Sequence, residues 1–295
     1  MATDVGTVGV FSGVLQRRPT AQALDLVDEW AGLGYGSVWI PESVSAKNVL
    51  TFAAVVLGGT KRIVVASAIA VIWNRDPTAM MNAGRTLADA HPGRFVLGMG
   101  VSHRNSASRR GHDYHRPLQA MRSYLEEMDA AAYDGHLPDH PALRVLAALG
   151  PRMTALAGEM TDGAHPFLST PDHTATVREN IGPGPLIAVE QGVVLTKDAA
   201  AARKAARKNL DRFLQWPNYR RHLLRLGFDE PDLAEGGTDR LVDALYAWGD
   251  EAAIERRVAQ HLAAGADNVC LQIIPGGPVD EEEALRLLAP AVLSR

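Results

Sequence analysis

The chain has 295 residues, 46% hydrophobic and 22% charged, the balance of a globular protein that can bury a large core without staples. Its net charge of −4 gives no electrostatic reason to bind nucleic acid or an anionic membrane. The single cysteine, Cys270, excludes an intrachain disulfide framework and a cysteine-based zinc site, and within the apolar run Asn268–Ile274 it reads as a small core residue.

Strand-length apolar runs alternate with longer segments of helical period. The first strand is Thr7–Phe11, followed by a helix over Thr20–Leu33 with Leu24, Val27 and Ala31 on one face. The second strand is Ser37–Ile40. The third, Ile63–Val71, is an almost unbroken apolar run, as a parallel strand covered on both faces requires. A helix starts near Pro77 with Asp76 as its N-cap. Strand four is Arg94–Gly100, followed by a helix over Pro117–Ala132. Strand five is Leu143–Leu149, with a helix from Pro151 to about Thr161. Strand six is a short Ala164–Leu168 and strand seven Leu186–Leu195. A long helical region, Lys197–Ala264, is interrupted around Gly227–Gly237. Strand eight is Asn268–Ile274, and a last helix covers Asp280–Leu293. Helix ends marked by glycine recur before strands, in AGLGYGSVWI, AHPGRFVLGMG, MTDGAHPFL and AAGADNVCLQI, where a left-handed residue fits.

Strands alternating with helices imply parallel pairing and right-handed crossovers. The expected architecture is therefore a (β/α)8 TIM barrel, residues 1–295 as one domain, with an extra helical segment before the last strand. A doubly wound open sheet is the alternative, weakened by the absence of G-x-G-x-x-G and G-x-x-x-x-G-K-[ST]. The opening MATDVGTVGVFSG lacks the basic-then-apolar pattern of a signal peptide, and no apolar window approaches the ~18 residues of a membrane span. A cytoplasmic protein is expected.

Residues just after barrel strands converge on one mouth. The mouth positions are Phe11–Gly13 with Ser12, Pro41–Ser43 with Glu42, Val71–Arg75, Gly100–His103, Gly150–Arg152, His165–Pro166, Glu190–Gln191 and Gln272–Pro275. Gly150 runs into a helix at Pro151, whose exposed N–H groups favour an anion, with Arg152 as an added charge; an ordinary strand-to-helix turn is the other reading. Glu42 is either a catalytic carboxylate or a solvated loop acid, and His103 either a cofactor-facing or proton-exchanging imidazole or a loop histidine. His103, His112 and His115 invite a metal, but no H-x-x-x-H or H-x-E pair shares an element. Arg104, Arg109, Arg110 and Arg116 would repel one, so no metal is expected and an anion suits the loop better. Arg203, Lys204, Arg207 and Lys208 read as a solvated helix face. Trp73 is the best candidate for lining a pocket; Trp216, Tyr219 and Trp248 read as packing residues.

Several stretches resemble the luciferase-like (bacterial luciferase) superfamily of oxidoreductases, in the branch that uses the deazaflavin coenzyme F420. They are GYGSVWIPE, ASAIAVIWNRDPTAMMNAGRTLADAHPGRFVLGMGVSH, RPLQAMRSYLEEMDAA, LAALGPRMTALAGEMTDGAHPFLSTPDH and AWGDEAAIERRVAQHLAAGADNVCLQ, in the expected order over nearly the whole chain. The resemblance implies a flat tricyclic cofactor at the mouth. Its ring would rest on a bulge ending strand three, with a non-prolyl cis peptide near Ala70, Val71 and Ile72, and its phosphate would meet Leu149, Gly150 and Arg152. Glu42, Ser102 and His103 match ring-facing positions. With Ser12, Gly100, Pro151 and His165 they make the expected cofactor-binding set, and His103 and Glu42 are the expected catalytic groups.

The chain departs from F420-dependent glucose-6-phosphate dehydrogenases. Ser43 follows Glu42 where those enzymes have a histidine after an acid, and Val101 stands where they carry a glutamate. Sugar-phosphate oxidation is not expected here, nor light emission. The reading is an F420-dependent oxidoreductase moving a hydride between the deazaflavin and a small organic substrate. The alternatives are an FMN-dependent luciferase-like monooxygenase and a non-catalytic deazaflavin-binding barrel. The resemblance also implies a homodimer.

Overall fold

The computed structural model describes residues 3–294. Ten strands share one sheet: β1 (Val8–Phe11), β2 (Ser37–Ile40), β3 (Val64–Ser67), β4 (Ala70–Val71), β5 (Phe95–Gly100), β6 (Leu143–Leu146), β7 (Gly163–Ala164), β8 (Leu186–Leu195), β9 (Tyr246–Gly249) and β10 (Asn268–Ile273). All ladders between them are parallel. The order β10-β1-β2-β3-β5-β6-β7-β8 closes on itself because β10 also pairs β8, with Cys270 opposite Glu190. This is the expected barrel. Phe11, Trp39, Ala66, Val96, Val145, Ala188 and Cys270 pack together in one apolar cluster, while a second, larger cluster joins the strands to the surrounding helices. Cys270 is fully buried.

Local chemistry explains most element boundaries. Asp76 accepts a hydrogen bond from the Ala79 N–H at 2.9 Å, and Pro77 opens the Pro77–Ala90 helix, as read from sequence. Asp250 and Asp280 cap the Glu251–Ala263 and Glu281–Val292 helices in the same way. Gly34 is left-handed at φ 108°, closing the Thr20–Leu33 helix; Gly93 and Gly265 also have positive φ. The fourth glycine of that recurring pattern behaves differently: Gly163 is already in β7, and the helix before it ends at an extended Thr161.

Several expectations need correction. The run Ile63–Val71 is not one strand. It breaks into β3 and β4 at a cis peptide between Ala68 and Ile69, two residues before the expected Ala70–Ile72 position. Strands five and six stop earlier than expected, at Leu146 and Ala164. Helices Val49–Gly59 and Pro171–Ile181 fill segments for which no helix was expected. The extra segment before the last strand is present, as Ala199–Leu214, Pro217–Arg225 and Asp239–Leu245 with a 3-10 turn at Pro231–Gly236. It ends in a strand read as helix: β9 pairs the upper part of β8, Gly192–Leu195, above the two-residue contact of β7 at Leu186 and Ile187. Of the basic run in this segment, Lys204 and Lys208 are exposed, as a solvated face requires, while Arg203 pairs with Asp239 and Asp243, and Arg207 with Asp239. No helix among the described residues is long and apolar enough to cross a membrane.

Candidate active site

The bulge between β3 and β4 is held from both sides. Beneath it lie the glycines of β5: a Cβ at Gly98 would overlap the Ser67 carbonyl oxygen, and one at Gly100 would come within 2.7 Å of the Ile69 side chain. Only glycine permits that approach. From the rim, the Glu42 carboxylate accepts the Val71 N–H at 2.6 Å and two bonds from Arg75, at 2.5 and 3.2 Å. The side chains of Arg75 and Glu42 are 11% and 4% exposed, so this is a buried, bidentate pair. Trp73 donates to the Val101 carbonyl at 2.7 Å, tying the end of β4 to the end of β5. Tyr114 donates to the Ser102 carbonyl at 3.1 Å, and Ser102 is left-handed at φ 52°.

His103 leaves the end of β5 into an aromatic wall. Its ring lies 3.7 Å from that of Trp216 and 5.4 Å from that of Tyr219, centroid to centroid. Burial pushes its pKa down to about 4, opposed by a hydrogen bond with Asn218, so the ring is neutral at neutral pH. Its Nδ1 is buried without a partner. A buried polar atom left open in this way is an address for a ligand atom. Trp216, Asn218 and Tyr219 all belong to the extra segment, which therefore roofs the mouth.

At the end of β6, Gly150 caps the Pro151–Met160 helix, and the carbonyl of Gly150 accepts from Met153 and Thr154. Pro151 has no N–H and those of Met153 and Thr154 are taken by Gly150, which leaves the Arg152 N–H at this turn to face an anion. Arg152 is exposed. The guanidinium that stands over the turn is that of Arg225, 3.2 Å from where a Gly150 Cβ would be. A glycine, a helix N-terminus and an approaching cation fit a phosphate, and the bulge, Trp73 and the open His103 Nδ1 fit a flat polar ring system.

The chain matches the family model for luciferase-like monooxygenases over residues 7–268. It belongs to that family. A 5,10-methylenetetrahydromethanopterin reductase of Archaeoglobus fulgidus is 22% identical, the match covering 89% of this chain and 92% of the relative. The coenzyme F420-dependent tetrahydromethanopterin reductase of Methanopyrus kandleri superposes with a TM-score of 0.78 at 18% identity, over 98% of this chain and 99% of that one. The oxygenating component of 3,6-diketocamphane monooxygenase from Pseudomonas putida, solved with FMN, superposes at 0.72 with 17% identity, over 97% of both chains.

The luciferase-like barrel brings together most, but not all, of the expected residues. Ala70, Val71, Ile72, Gly100, Ser102 and His103 gather around the bulge and the β5 end, while Leu149, Gly150 and Pro151 form the turn. Glu42 is near them, but its carboxylate is occupied by Arg75 and Val71, which gives it a positioning place rather than an open catalytic one. His165 is not at the open mouth. It is 3% exposed, stacks on Trp39 at 4.8 Å, donates Nδ1–H to the Ala188 carbonyl, and has a pKa lowered to about 4 by burial. Ser12 is fully buried and donates at 2.7 Å to Glu281, a partner hidden in sequence among the acids of a helix start. Burial raises the Glu281 carboxyl to about 7, and raises that of Glu190, which accepts the Leu168 N–H, to about 8. Trp216 is a wall of the site rather than packing alone. His103, His112 and His115 diverge, to Trp216, Trp73 and Asp113, and no trio of His, Cys, Asp or Glu among the described residues could hold a metal.

Proposed function

We infer that this protein is a coenzyme F420-dependent oxidoreductase, moving a hydride between the deazaflavin and a small organic substrate at the barrel mouth. The observation that carries this is the pairing of the anion turn at Gly150 with a neutral His103, its Nδ1 unpartnered, at the end of the β5 strand that backs the bulge, in a chain whose relatives include a methylenetetrahydromethanopterin reductase. When bound, the deazaflavin supplies the hydride chemistry. The chain supplies place and proton. The turn at Gly150, with the Arg152 N–H, would hold the phosphate, and the Arg225 guanidinium would neutralise it. Glu42 fixes Val71 and Arg75, and so the bulge on which the ring would rest. Trp73 and Trp216 exclude water. His103 offers Nδ1 as an acceptor toward the ring or substrate. A group that exchanges protons in the working range should titrate near neutrality, and Glu281, braced by the Ser12 hydroxyl, does so at about 7. In this reading His103 is the hydrogen-bond partner, and the candidates for proton carrier are Glu281 and Glu190, the carboxyls that burial raises to about 7 and about 8. A cytoplasmic homodimer belongs to the same reading, and sedimentation of the purified protein checks the dimer.

Fluorescence titration of the purified protein with coenzyme F420 and, separately, with FMN tests the assignment. Micromolar or tighter binding of the deazaflavin with little affinity for FMN is expected. The reverse preference moves the protein to the monooxygenase reading, favoured by the FMN-bound neighbour of the same fold. Deazaflavin binding with no turnover over a broad panel of carbonyl and alcohol substrates would leave a cofactor-binding barrel.

A further inference from the structure

The strand ends and the extra segment together build a wall of aromatic rings. Phe11 ends β1, and its ring centroid lies 6.0 Å from that of Phe167, which follows β7. Phe167 is 5.2 Å from Phe213, and Phe213 is 5.1 Å from Tyr219. Tyr219 is 6.1 Å from Trp216, the ring that covers His103. Phe167 joins the two halves. It packs against the apolar cluster inside the barrel, which holds Phe11, and against that of the extra segment, which holds Phe213 and Tyr219. Phe167, Trp216 and His103 are half-buried, so the wall keeps an accessible face.

This wall stands across the mouth from the bulge. Around the closed strand order β8 is four places from β3 either way, through β5, β6 and β7 or through β2, β1 and β10. Glu190 on β8 is two residues beyond Ala188, which belongs to the cluster inside the barrel, so it also points inward. It is 2% exposed and accepts the N–H of Leu168, the neighbour of Phe167, at 3.3 Å. Burial keeps the polar groups here uncharged at neutral pH, holding His103 down to about 4 and Glu190 up to about 8. One cation, Arg212, stacks over the Phe213 ring at 4.7 Å and is itself exposed to water. A charged ligand pressed against this wall would lose its hydration without meeting a buried opposite charge. A flat ring would gain stacking, and the unpartnered His103 Nδ1 gives it one polar anchor.

We propose that the substrate is a flat, uncharged ring compound, held with one face on the wall from Phe167 to Trp216 and a polar atom on His103 Nδ1. The proposal rests on the deazaflavin reading above, in which the cofactor ring lies on the bulge and the substrate sits between that ring and the wall. Phe167 then sets the preference for a flat shape, and the uncharged surroundings set the preference for a neutral ligand.

The test is a calorimetric titration, at neutral pH, of the protein saturated with reduced coenzyme F420. The probes are 2-naphthol, decahydro-2-naphthol and 2-naphthoate, none of which accepts a hydride. 2-Naphthol is expected to bind about tenfold more tightly than its puckered, saturated counterpart, the effect of one or two aromatic contacts. It should also bind at least about tenfold more tightly than the flat but charged 2-naphthoate. Phe167→Leu should remove most of the advantage over decahydro-2-naphthol, and Phe167→Tyr, which keeps the ring, should retain it, with thermal midpoints to check folding. Equal affinity for the flat and puckered alcohols, 2-naphthoate binding as tightly as 2-naphthol, or an advantage that survives Phe167→Leu would each overturn the wall while leaving the deazaflavin reading intact. Failure to take up coenzyme F420 overturns both.

Discussion

The Glu42–Arg75 pair shows how one residue changes meaning between sequence and structure. As a letter after a barrel strand, Glu42 resembles a catalytic acid. In the fold it is a buried bracket for the bulge, accepting Val71 N–H and both arms of Arg75. Removing one member of a buried pair strands the other charge. Arg75→Ala is therefore expected to cost about 3 kcal/mol in urea unfolding. A loss in Arg75→Ala of under ~1 kcal/mol, the level of an exposed pair, would show that water screens the site. The neighbouring histidine is controlled from far along the chain. Trp216 covers the His103 ring at 3.7 Å, and its removal should let the His103 pKa climb from about 4 toward its ordinary 6.5. NMR titration of the imidazole C–H signals in Trp216→Ala reads this directly; an unmoved pKa would assign the burial to Tyr219 instead. Neither relation is written near His103 in the sequence. Gly150–Pro151 was legible because a strand, a glycine and a helix-opening proline are contiguous, but Arg225, which stands over that turn, comes from another element with no local signal.

At the scale of elements, the barrel was readable because parallel strands covered on both faces are continuous apolar runs, and their helices carry caps and period. What escaped were elements that break those rules. Val49–Gly59 is nearly all apolar, so it shows little helical stripe. β9, Tyr246–Gly249, is four residues between two helices and pairs only where β7 has left an edge of β8 open, a long-range opportunity that composition does not encode. The β3–β4 break is hidden in an apolar run because the glycines that make room for it lie on β5. That dependence predicts unequal glycines. Gly98→Ala would drive a Cβ into the Ser67 carbonyl, backbone against backbone, and should cost about 3 kcal/mol. Gly32→Ala, in the last turn of the Thr20–Leu33 helix with open space around its Cβ position, should stabilise by about 0.5–1 kcal/mol. Thermal unfolding of the pair checks both, and a Gly98→Ala protein as stable as the parent would mean that β5 can slide away from the bulge.

Across the whole molecule, the buried histidines and carboxyls set a pH window for stability. Burial lowers His103, His165 and His173 to about 4, and His222 and His261 to about 3; His173 and His222 also face each other at 4.6 Å, so each opposes the other's charge. Between their ordinary 6.5 and about 4, the unfolded chain takes up protons at these five positions and the folded chain does not, so stability is lost as pH falls through that range. Glu190 and Glu281 act with the opposite sign. Their folded pKa values of about 8 and about 7 lie above the ordinary 4.5, so the stability they lend is complete below 4.5 and is lost as pH rises through 7 and 8. Each group contributes at most about 1.4 kcal/mol per pH unit. From pH 4.5 to 6.5 the five histidines outweigh the two carboxyls, and above 6.5 only the carboxyls act. Urea midpoints measured across this range should therefore peak near pH 6.5, fall steeply toward acid and more gently toward pH 8. Glu190→Gln should flatten the alkaline limb and leave the acid limb in place, because an amide cannot release the proton that costs the folded state its stability. A flat profile from pH 6.5 down to 5 would mean that the histidines are open to water in solution, and with them the aromatic roof that Trp216 and Tyr219 place over the mouth.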